Sequence, residues 1–182
     1  MRFLESKLAG AFVVELERIV DDRGFFARSF CRREFEQQGL EPAIAQCNIS
    51  YNEQQGILRG MHFQTTPHEE AKLVRCTRGS VYDVIVDLRL ESETFKQWAS
   101  FELSADNRRS LYVPRGFAHG FVTLEAHSEL TYQMSEFYHP ENAAGFRWDD
   151  PAIGIDWPVT LPVVLKRDSD LPAFADTDYG RL

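Results

Sequence analysis

Two short runs of this 182-residue chain place a histidine beside glycines and an arginine. His62 lies in the run GILRGMHFQ and His119 in the run PRGFAHG, while Lys72 follows the first run and Tyr132 follows the second. Histidine and tyrosine can move protons next to a carbonyl group, and a lysine or a histidine can stabilise the enolate oxygen that develops there. The residue types therefore predict acid–base chemistry beside a carbonyl.

Arg59 and His62 can serve one pocket only if the strand that carries them is irregular. Side chains alternate along a strand, so residues three apart point to opposite faces. Gly60 lies between them, and a glycine in a strand often marks a bulge or a close approach of another backbone. We expect a bulge at Gly60 and an anionic partner for the Arg59 guanidinium. The alternative for His62 is a buried structural histidine.

Two further side chains have both a functional and a structural interpretation. Arg23 lies beside a glycine and two phenylalanines in DDRGFF, a setting typical of a phosphate and ring-stacking site, although a solvated turn would have the same composition. Tyr132 shares strand parity with Leu130 and Met134, so its phenol is expected to point to the apolar side. A buried phenol needs a hydrogen-bond partner and is often structural.

The histidine pattern does not favour a metal centre. The spacing Pro-x-Gly-x-x-His that ends at His119 resembles the second motif of the cupin superfamily, in which metal-binding members also carry an earlier His-x-His and a glutamate. Here the earlier site has His62 and then Gln64, so the second imidazole is missing. We therefore predict no metal, and the alternative for His119 is a hydrogen-bonded core histidine. Three other histidines are expected at the surface: His68, His127 and His139.

Short strands dominate the chain and predict an all-β fold, an antiparallel sandwich or barrel. One helix is expected over residues 29–38, with Ser29 at its start and Gly39 as its stop. The tail after Trp157 is interrupted by prolines and is expected to be irregular and to pack over the sheet. The expected strands beyond the first histidine run are residues 73–77, 81–88, 100–104, 110–113, 120–124 and 129–135.

The bulk composition limits the class of protein. With 43% hydrophobic and 26% charged residues, residues 1–182 are expected to form one globular domain. A net charge of −8 argues against a nucleic-acid binder. Three cysteines without CxxC spacing indicate reduced thiols. Because there is neither a signal-peptide pattern nor a run of about 18 apolar residues, we expect a cytoplasmic protein without a membrane span.

Several longer runs together resemble the dTDP-4-dehydrorhamnose 3,5-epimerase family, from about Arg23 to Asp168. The resemblance implies a metal-free jelly roll of the cupin type that forms a homodimer and needs no cofactor. It also implies conversion of dTDP-4-dehydro-6-deoxyglucose, a nucleotide-diphosphate 4-keto sugar, to dTDP-4-dehydrorhamnose. The runs that carry it are residues 56–64, 72–75, 83–89, 112–121 and 147–158.

The resemblance also assigns roles to individual residues. It makes His62 the general base, oriented by Asp168 near the C-terminus, and Tyr132 the acid on the other face of the sugar. Lys72 and His119 complete the catalytic set. The substrate-binding residues that it implies are Arg23 and Arg59 for the diphosphate, Gln46 and Asn48 for the nucleotide, and Tyr138 as an aromatic near the base.

The chain departs from the family pattern at three places. Arg28 and Ala143 stand where many members carry a glutamate, and Glu70 precedes Lys72 where a glutamine is familiar. Arg28 is expected to bind the base or a phosphate, and the identity of the base stays open. The alternatives are a 3- or 5-epimerase or a 3,4-ketoisomerase acting on another nucleotide sugar (GDP or CDP), a non-catalytic sugar-nucleotide-binding cupin, and a metal-dependent cupin oxygenase.

Overall fold

Strands make up most of the regular structure in the computed structural model, which describes residues 1–176. Two short helices, α1 (Arg32–Gln37) and α2 (Lys166–Ser169), and a 3-10 turn at Phe174–Asp176 complete it. The strands are β1 (Arg2–Glu5), β2 (Phe12–Glu15), β3 (Ile19–Asp21), β4 (Gly24–Phe26), β5 (Gln46–Asn52), β6 (Ile57–Gln64), β7 (Lys72–Arg78), β8 (Ser80–Asp87), β9 (Trp98–Ser104), β10 (Ser110–Val113), β11 (Phe117–Thr123), β12 (Ser128–Met134), β13 (Ala143–Gly145) and β14 (Val163–Val164).

Two facing sheets form the cupin-type antiparallel jelly roll that the family resemblance implies. The first sheet has the order β1-β2-β10-β7-β12-β5, and the second has the order β13-β6-β11-β8-β9. β14 is added to the second sheet in parallel with β6, and β3 and β4 form a separate hairpin. Each strand predicted between residues 73 and 135 is present, with ends shifted by a few residues.

Both faces of the second sheet are buried. Residues of β8 alternate between the cluster that fills the space between the sheets, which includes Ile85, and a second cluster that includes Val84 and Val86. Phe146 and Phe174 from the C-terminal part of the chain belong to this second cluster. Fully burying one such side chain stabilises the fold by about 1.5–3 kcal/mol. This packing holds the tail against the outer face of the second sheet, as expected.

The helices differ from the prediction. The predicted start of the helix at Ser29 is wrong, because α1 begins at Arg32 after Cys31, whose side chain makes no capping hydrogen bond. The Phe30 ring, just before the helix, packs against Phe35 within it, at 4.9 Å between centroids. Gly39 follows the helix with a φ of +71°, as a helix stop should. The helix α2, which is four residues long and has no side-chain cap, was not predicted.

Within residues 1–176, no helix is long and apolar enough to cross a membrane.

Candidate active site

A β-bulge brings Arg59 and His62 to the same cavity. His62 on β6 is the cross-strand partner of His119 on β11, and the next pair is Arg59 with Phe121. A step of three residues on β6 thus matches a step of two residues on β11. Gly60 adopts a φ of +130°, and a Cβ there would lie 2.6 Å from the Cα of Gly120. Only glycine fits such a backbone contact. The bulge predicted at Gly60 is confirmed.

Two adjoining cavities, of about 300 and 470 Å³, lie beside these strands. Both volumes lie in the range of small-molecule sites, about 300–1,000 Å³. His62, Lys72 and Asn48 line both cavities, which therefore form one continuous cleft. The smaller cavity contains most of the side chains predicted for catalysis and diphosphate binding, without Asp168 and Arg23: Arg59, His62, Lys72, His119 and Tyr132.

His62 and Asp168 form a hydrogen-bonded pair across 106 residues of sequence. The distance from His62 Nε2 to Asp168 Oδ1 is 3.0 Å, and Asp168 Oδ2 also accepts a hydrogen bond from the Gly60 amide at 3.4 Å. Burial works to raise the pKa of Asp168, but the hydrogen bond and charge of His62 outweigh it and hold that pKa below its ordinary value. An ionised carboxylate accepts the proton of Nε2, which leaves the lone pair on Nδ1. The predicted proximity of these two residues is confirmed.

His119 has a carboxylate partner of its own, Asp83 on β8. Nε2 of His119 lies 3.0 Å from each carboxylate oxygen, and the Asp83 side chain is fully buried. Asp83 was not among the predicted site residues. The signal that could have identified it is an acidic residue within an otherwise apolar strand, because a buried carboxylate needs a partner.

Tyr132 belongs to the first sheet, whereas the two histidines belong to the second. Its ring meets the His119 ring edge-on, with 6.0 Å between centroids, and packs against the buried core as its strand parity predicts. Burial is the main cause of a strongly raised pKa for Tyr132, and the negative charge of Asp83 adds to it. A hydrogen bond with the Ser50 side chain partly opposes the shift in pKa. The phenol therefore keeps its proton at neutral pH.

Lys72 is buried at the point where the two cavities meet. Its Nζ lies 3.0 Å from Glu70 Oε1, and both side chains are more than nine-tenths buried. Lys72 and Tyr132 belong to the first sheet, whereas His62 and His119 belong to the second. The cleft is thus lined by ionisable side chains from both sheets.

Arg59 offers a positive charge that no carboxylate in the described chain neutralises. Its Nε donates to the side-chain oxygen of buried Asn52 at 2.9 Å, and no salt bridge to Arg59 forms within residues 1–176. The expected anionic partner is thus absent from this part of the chain, and an amide holds the guanidinium instead. Arg167 lines both cavities as well, a cation that the sequence analysis missed.

The residues predicted to contact the nucleotide lie along the larger cavity. Gln46, Asn48 and Tyr138 all line it. Gln46 accepts a hydrogen bond from the Tyr138 amide, so the β5 strand positions the exposed tyrosine ring. Asn48 is the cross-strand neighbour of Tyr132, which connects the two parts of the cleft.

A comparison with known proteins identifies the family. The family described as dTDP-4-dehydrorhamnose 3,5-epimerase matches residues 5–176 of this chain. The chain belongs to this family. It is an isomerase that acts on a nucleotide sugar.

Individual relatives agree in sequence and fold. The dTDP-4-dehydrorhamnose 3,5-epimerase of Methanothermobacter thermautotrophicus is 44% identical over 160 residues, which cover 88% of this chain and 85% of that protein. The solved structure from Elizabethkingia anophelis has a TM-score of 0.94 and 38% identity, with 97% of each chain covered. The structure from Bacillus anthracis, with TDP and PPi bound, has a TM-score of 0.91 and 42% identity and covers 94% of this chain and 98% of that one.

Arg23 and Arg28 do not line the cavities of their own epimerase chain. Arg23 lies at the turn between β3 and β4, is 90% exposed and is paired with Asp21. Arg28 is paired with Glu34 at 2.9 Å. Ala143, the other departure from the family pattern near the nucleotide, does line the larger cavity. A single chain therefore brings together the predicted catalytic residues and most of the substrate-binding residues, but not these two arginines.

Proposed function

We propose that this enzyme inverts C3 and C5 of dTDP-4-dehydro-6-deoxy-D-glucose and releases dTDP-4-dehydro-L-rhamnose. The observation that carries the proposal is the position of His62 and Tyr132 on facing sheets, across one cavity that Lys72 also lines. Inversion requires a proton to leave one face of the sugar ring and another to arrive on the opposite face. Two facing walls with a base on one and an acid on the other supply that geometry.

The first step is removal of a proton next to the C4 ketone. The Nδ1 lone pair of His62 takes the proton. The C–H electron pair forms a double bond to C4, and the C4 oxygen becomes negatively charged. Lys72 or His119 stabilises this oxygen by a positive charge or a hydrogen bond. Asp168 holds the tautomer of His62 and stabilises the imidazolium that forms.

The second step returns a proton from Tyr132 on the opposite face. As the C4 carbonyl re-forms, the carbon takes the phenolic proton, and its configuration is inverted. The phenolate that remains is strongly basic because the pKa of Tyr132 is raised, so it recovers a proton readily. His62 must lose its proton before the next carbon reacts. Every step is a proton transfer, and none calls for a redox cofactor.

Binding of the nucleotide diphosphate supplies energy away from the reacting carbons. Arg59 and Arg167 offer guanidinium groups to the phosphates, and guanidinium binds phosphate through paired hydrogen bonds. Gln46, Asn48 and Tyr138 line the part of the cleft that we assign to the nucleoside. We rank thymidine first among the bases, in keeping with the TDP bound to the Bacillus anthracis relative.

We also propose that the enzyme works as a homodimer in which Arg23 and Arg28 serve the partner's cleft. The hairpin that carries Arg23 exposes the apolar side chains of Ile19, Val20 and Phe26. Adjacent exposed apolar side chains are typical of a protein–protein interface. β5 is the edge strand of the first sheet and exposes Ile49. In the arrangement that we propose, burial of these surfaces against a second copy places Arg23 at the partner's cleft.

Complementation tests this arrangement. Arg23→Ala and His62→Ala chains are co-expressed with different affinity tags, and the mixed dimer is purified. If Arg23 acts on the partner's cleft, the mixed dimer has one intact site and regains activity that neither parent shows. If Arg23 acts within its own chain, the mixed dimer has no intact site and stays inactive. A monomer in light scattering would rule out the dimer itself.

The single-domain organisation and the location complete the proposal. We propose that residues 1–182 form one catalytic domain, of which the last six residues lie outside the described structure. We place the enzyme in the cytoplasm. The cysteines Cys31, Cys47 and Cys76 are all free, as is usual for proteins of a reducing compartment.

The central experiment is a product assay by NMR in D₂O with dTDP-4-dehydro-6-deoxy-D-glucose. The proposal predicts deuterium at both C3 and C5 and the L-rhamno product. Label and inversion at one carbon would identify a 3- or 5-epimerase, and movement of the carbonyl would identify a 3,4-ketoisomerase. No exchange at all would indicate a non-catalytic binder. A parallel assay with GDP- and CDP-linked 4-keto sugars, with dTDP, GDP, CDP and UDP as competitors, tests the base.

A further inference from the structure

Two imidazoles and a carboxylate come together at the edge of the larger cavity. His68 lies in the loop between β6 and β7, and Glu136 and His139 lie in the loop between β12 and β13. Their potential ligand atoms all lie within 4.8 Å of one another. Glu136 lines the larger cavity, whereas none of the three takes part in the proton transfers proposed above.

A buried glutamine holds the two loops in register. Gln64 donates from Nε2 to the His68 carbonyl at 2.8 Å and to the Phe137 carbonyl at 3.1 Å. Its Oε1 accepts a hydrogen bond from the His139 amide at 2.7 Å. One side chain, 6% exposed, therefore fixes the backbone of both histidines. The cluster is built on a fixed frame rather than on two independent loops.

His139 also has the kind of partner that orients a metal ligand. Its Nδ1 lies 3.3 Å from Glu141 Oε1. A histidine that binds a metal commonly donates its other ring N–H to a carboxylate, which fixes the tautomer and makes the ligating nitrogen more basic. When Nδ1 donates to Glu141, the lone pair of the ring is on Nε2.

We propose that His68, His139 and Glu136 form a binding site for a divalent transition metal of the zinc type. Two neutral imidazoles and a carboxylate are a common three-ligand set for Zn²⁺, which leaves a fourth position for water or an anion. The site is separate from the position at which metal-binding cupins hold their ion. At that position His62 and His119 are each hydrogen-bonded to a carboxylate, and Gln64 is hydrogen-bonded to the backbone.

The two rings must turn to bind a metal. They are stacked, with centroids 3.5 Å apart and planes 13° apart, so their in-plane lone pairs run side by side instead of converging. The torsion that rotates an imidazole about its bond to Cβ is broad, and both side chains are only half-buried. Rotation of one or both rings points the lone pairs at a shared ion, without a change in the backbone that Gln64 holds.

The test is calorimetric titration of the tag-free full-length protein with Zn²⁺, together with Co²⁺ titration followed by visible absorption. The proposal predicts one equivalent of tightly bound metal and a cobalt spectrum of four-coordinate type. His68→Ala and His139→Ala should each weaken binding at least about tenfold, since each removes a ligand. Circular dichroism establishes that both variants are folded.

The matched control is His127→Asn, which removes an exposed histidine paired with Tyr51 elsewhere on the surface. This variant should bind Zn²⁺ as the unmodified protein does. The proposal is overturned if the unmodified protein binds no Zn²⁺, or if the His68 and His139 variants bind it as tightly. The result does not depend on the epimerase reaction, because binding alone is measured.

Discussion

The two histidine–carboxylate pairs have the same hydrogen-bond length but very different surroundings. In each pair Nε2 lies 3.0 Å from a carboxylate oxygen. The His62 side chain is 35% exposed to the cleft, whereas the His119 side chain is 6% exposed and its partner Asp83 is fully buried. A base must reach the substrate, so the accessible pair is suited to proton abstraction. The buried pair is suited to holding the His119 ring in one fixed orientation in the cleft.

The pairs also differ in how the chain assembles them. Asp83 lies on β8, the strand hydrogen-bonded to the β11 strand of His119, so this pair forms with the sheet. Asp168 belongs to α2, which directly follows β14, the two-residue strand that pairs with β6. The orientation of His62 thus depends on a short strand pairing late in the chain, whereas the orientation of His119 depends on the seven-residue pairing of β11 with β8.

The largest effect is expected from removal of the accessible histidine. His62→Ala should lower turnover and C–H exchange by about 10²–10⁴-fold, the usual contribution of a positioned general base. Affinity for dTDP should change little, because Arg59 and Arg167, the residues that we propose bind the diphosphate, remain. Turnover is measured by the NMR assay and affinity by calorimetry, with His127→Asn as the control. If His119→Ala lost C–H exchange while His62→Ala retained it, the buried pair and not the accessible pair would supply the base.

The carboxylate of the accessible pair should matter for turnover more than for binding. Asp168→Asn cannot accept the Nε2 proton as a carboxylate does, so His62 is left without its preferred tautomer. We expect turnover to fall by at most about 10²–10⁴-fold, which is the loss expected for His62→Ala. The KM should stay nearly constant. Asp83→Asn should affect turnover less; an equal loss in the two variants would show that the buried pair is as directly involved.

Removal of the phenol separates the two faces of the sugar. Tyr132→Phe keeps the ring that packs in the core and should preserve folding. Proton exchange at C3 or C5 should persist, because His62 is untouched, while completed inversion falls. The measurement compares deuterium incorporation with product formation in the same sample. Equal loss of both would remove Tyr132 from the role of second-face acid.

Part of this site could be predicted from residues alone, and part could not. The glycine between Arg59 and His62 required a bulge if both were to share a pocket, and strand parity oriented Tyr132 correctly. Asp168 was assigned only through the resemblance to a family, since nothing local connects residues 106 positions apart.

The missed residues share a physical reason. Asp83 and Asn52 serve the site through buried polar contacts, and Arg167 through the docking of the tail. Such contacts depend on which strands become neighbours, and hydrophobic periodicity does not contain that information. The fold class follows from the strand pattern, whereas the order of strands in each sheet does not.

The smallest expected effect is on stability in acid, and it concerns the accessible pair. The pKa of Asp168 is lowered in the folded protein, so its ionised form stabilises the fold above the unfolded value of 3.8, and this contribution is lost as the pH falls through the folded value. Asp168→Asn should therefore lower the free energy of unfolding at pH 7 by about 1.5–3 kcal/mol, the range for a hydrogen bond to a charged group. The difference from the unmodified protein should shrink as the pH falls below the unfolded value. Urea unfolding at several pH values measures it, and a difference independent of pH would show that Asp168 contributes through packing and not through its charge.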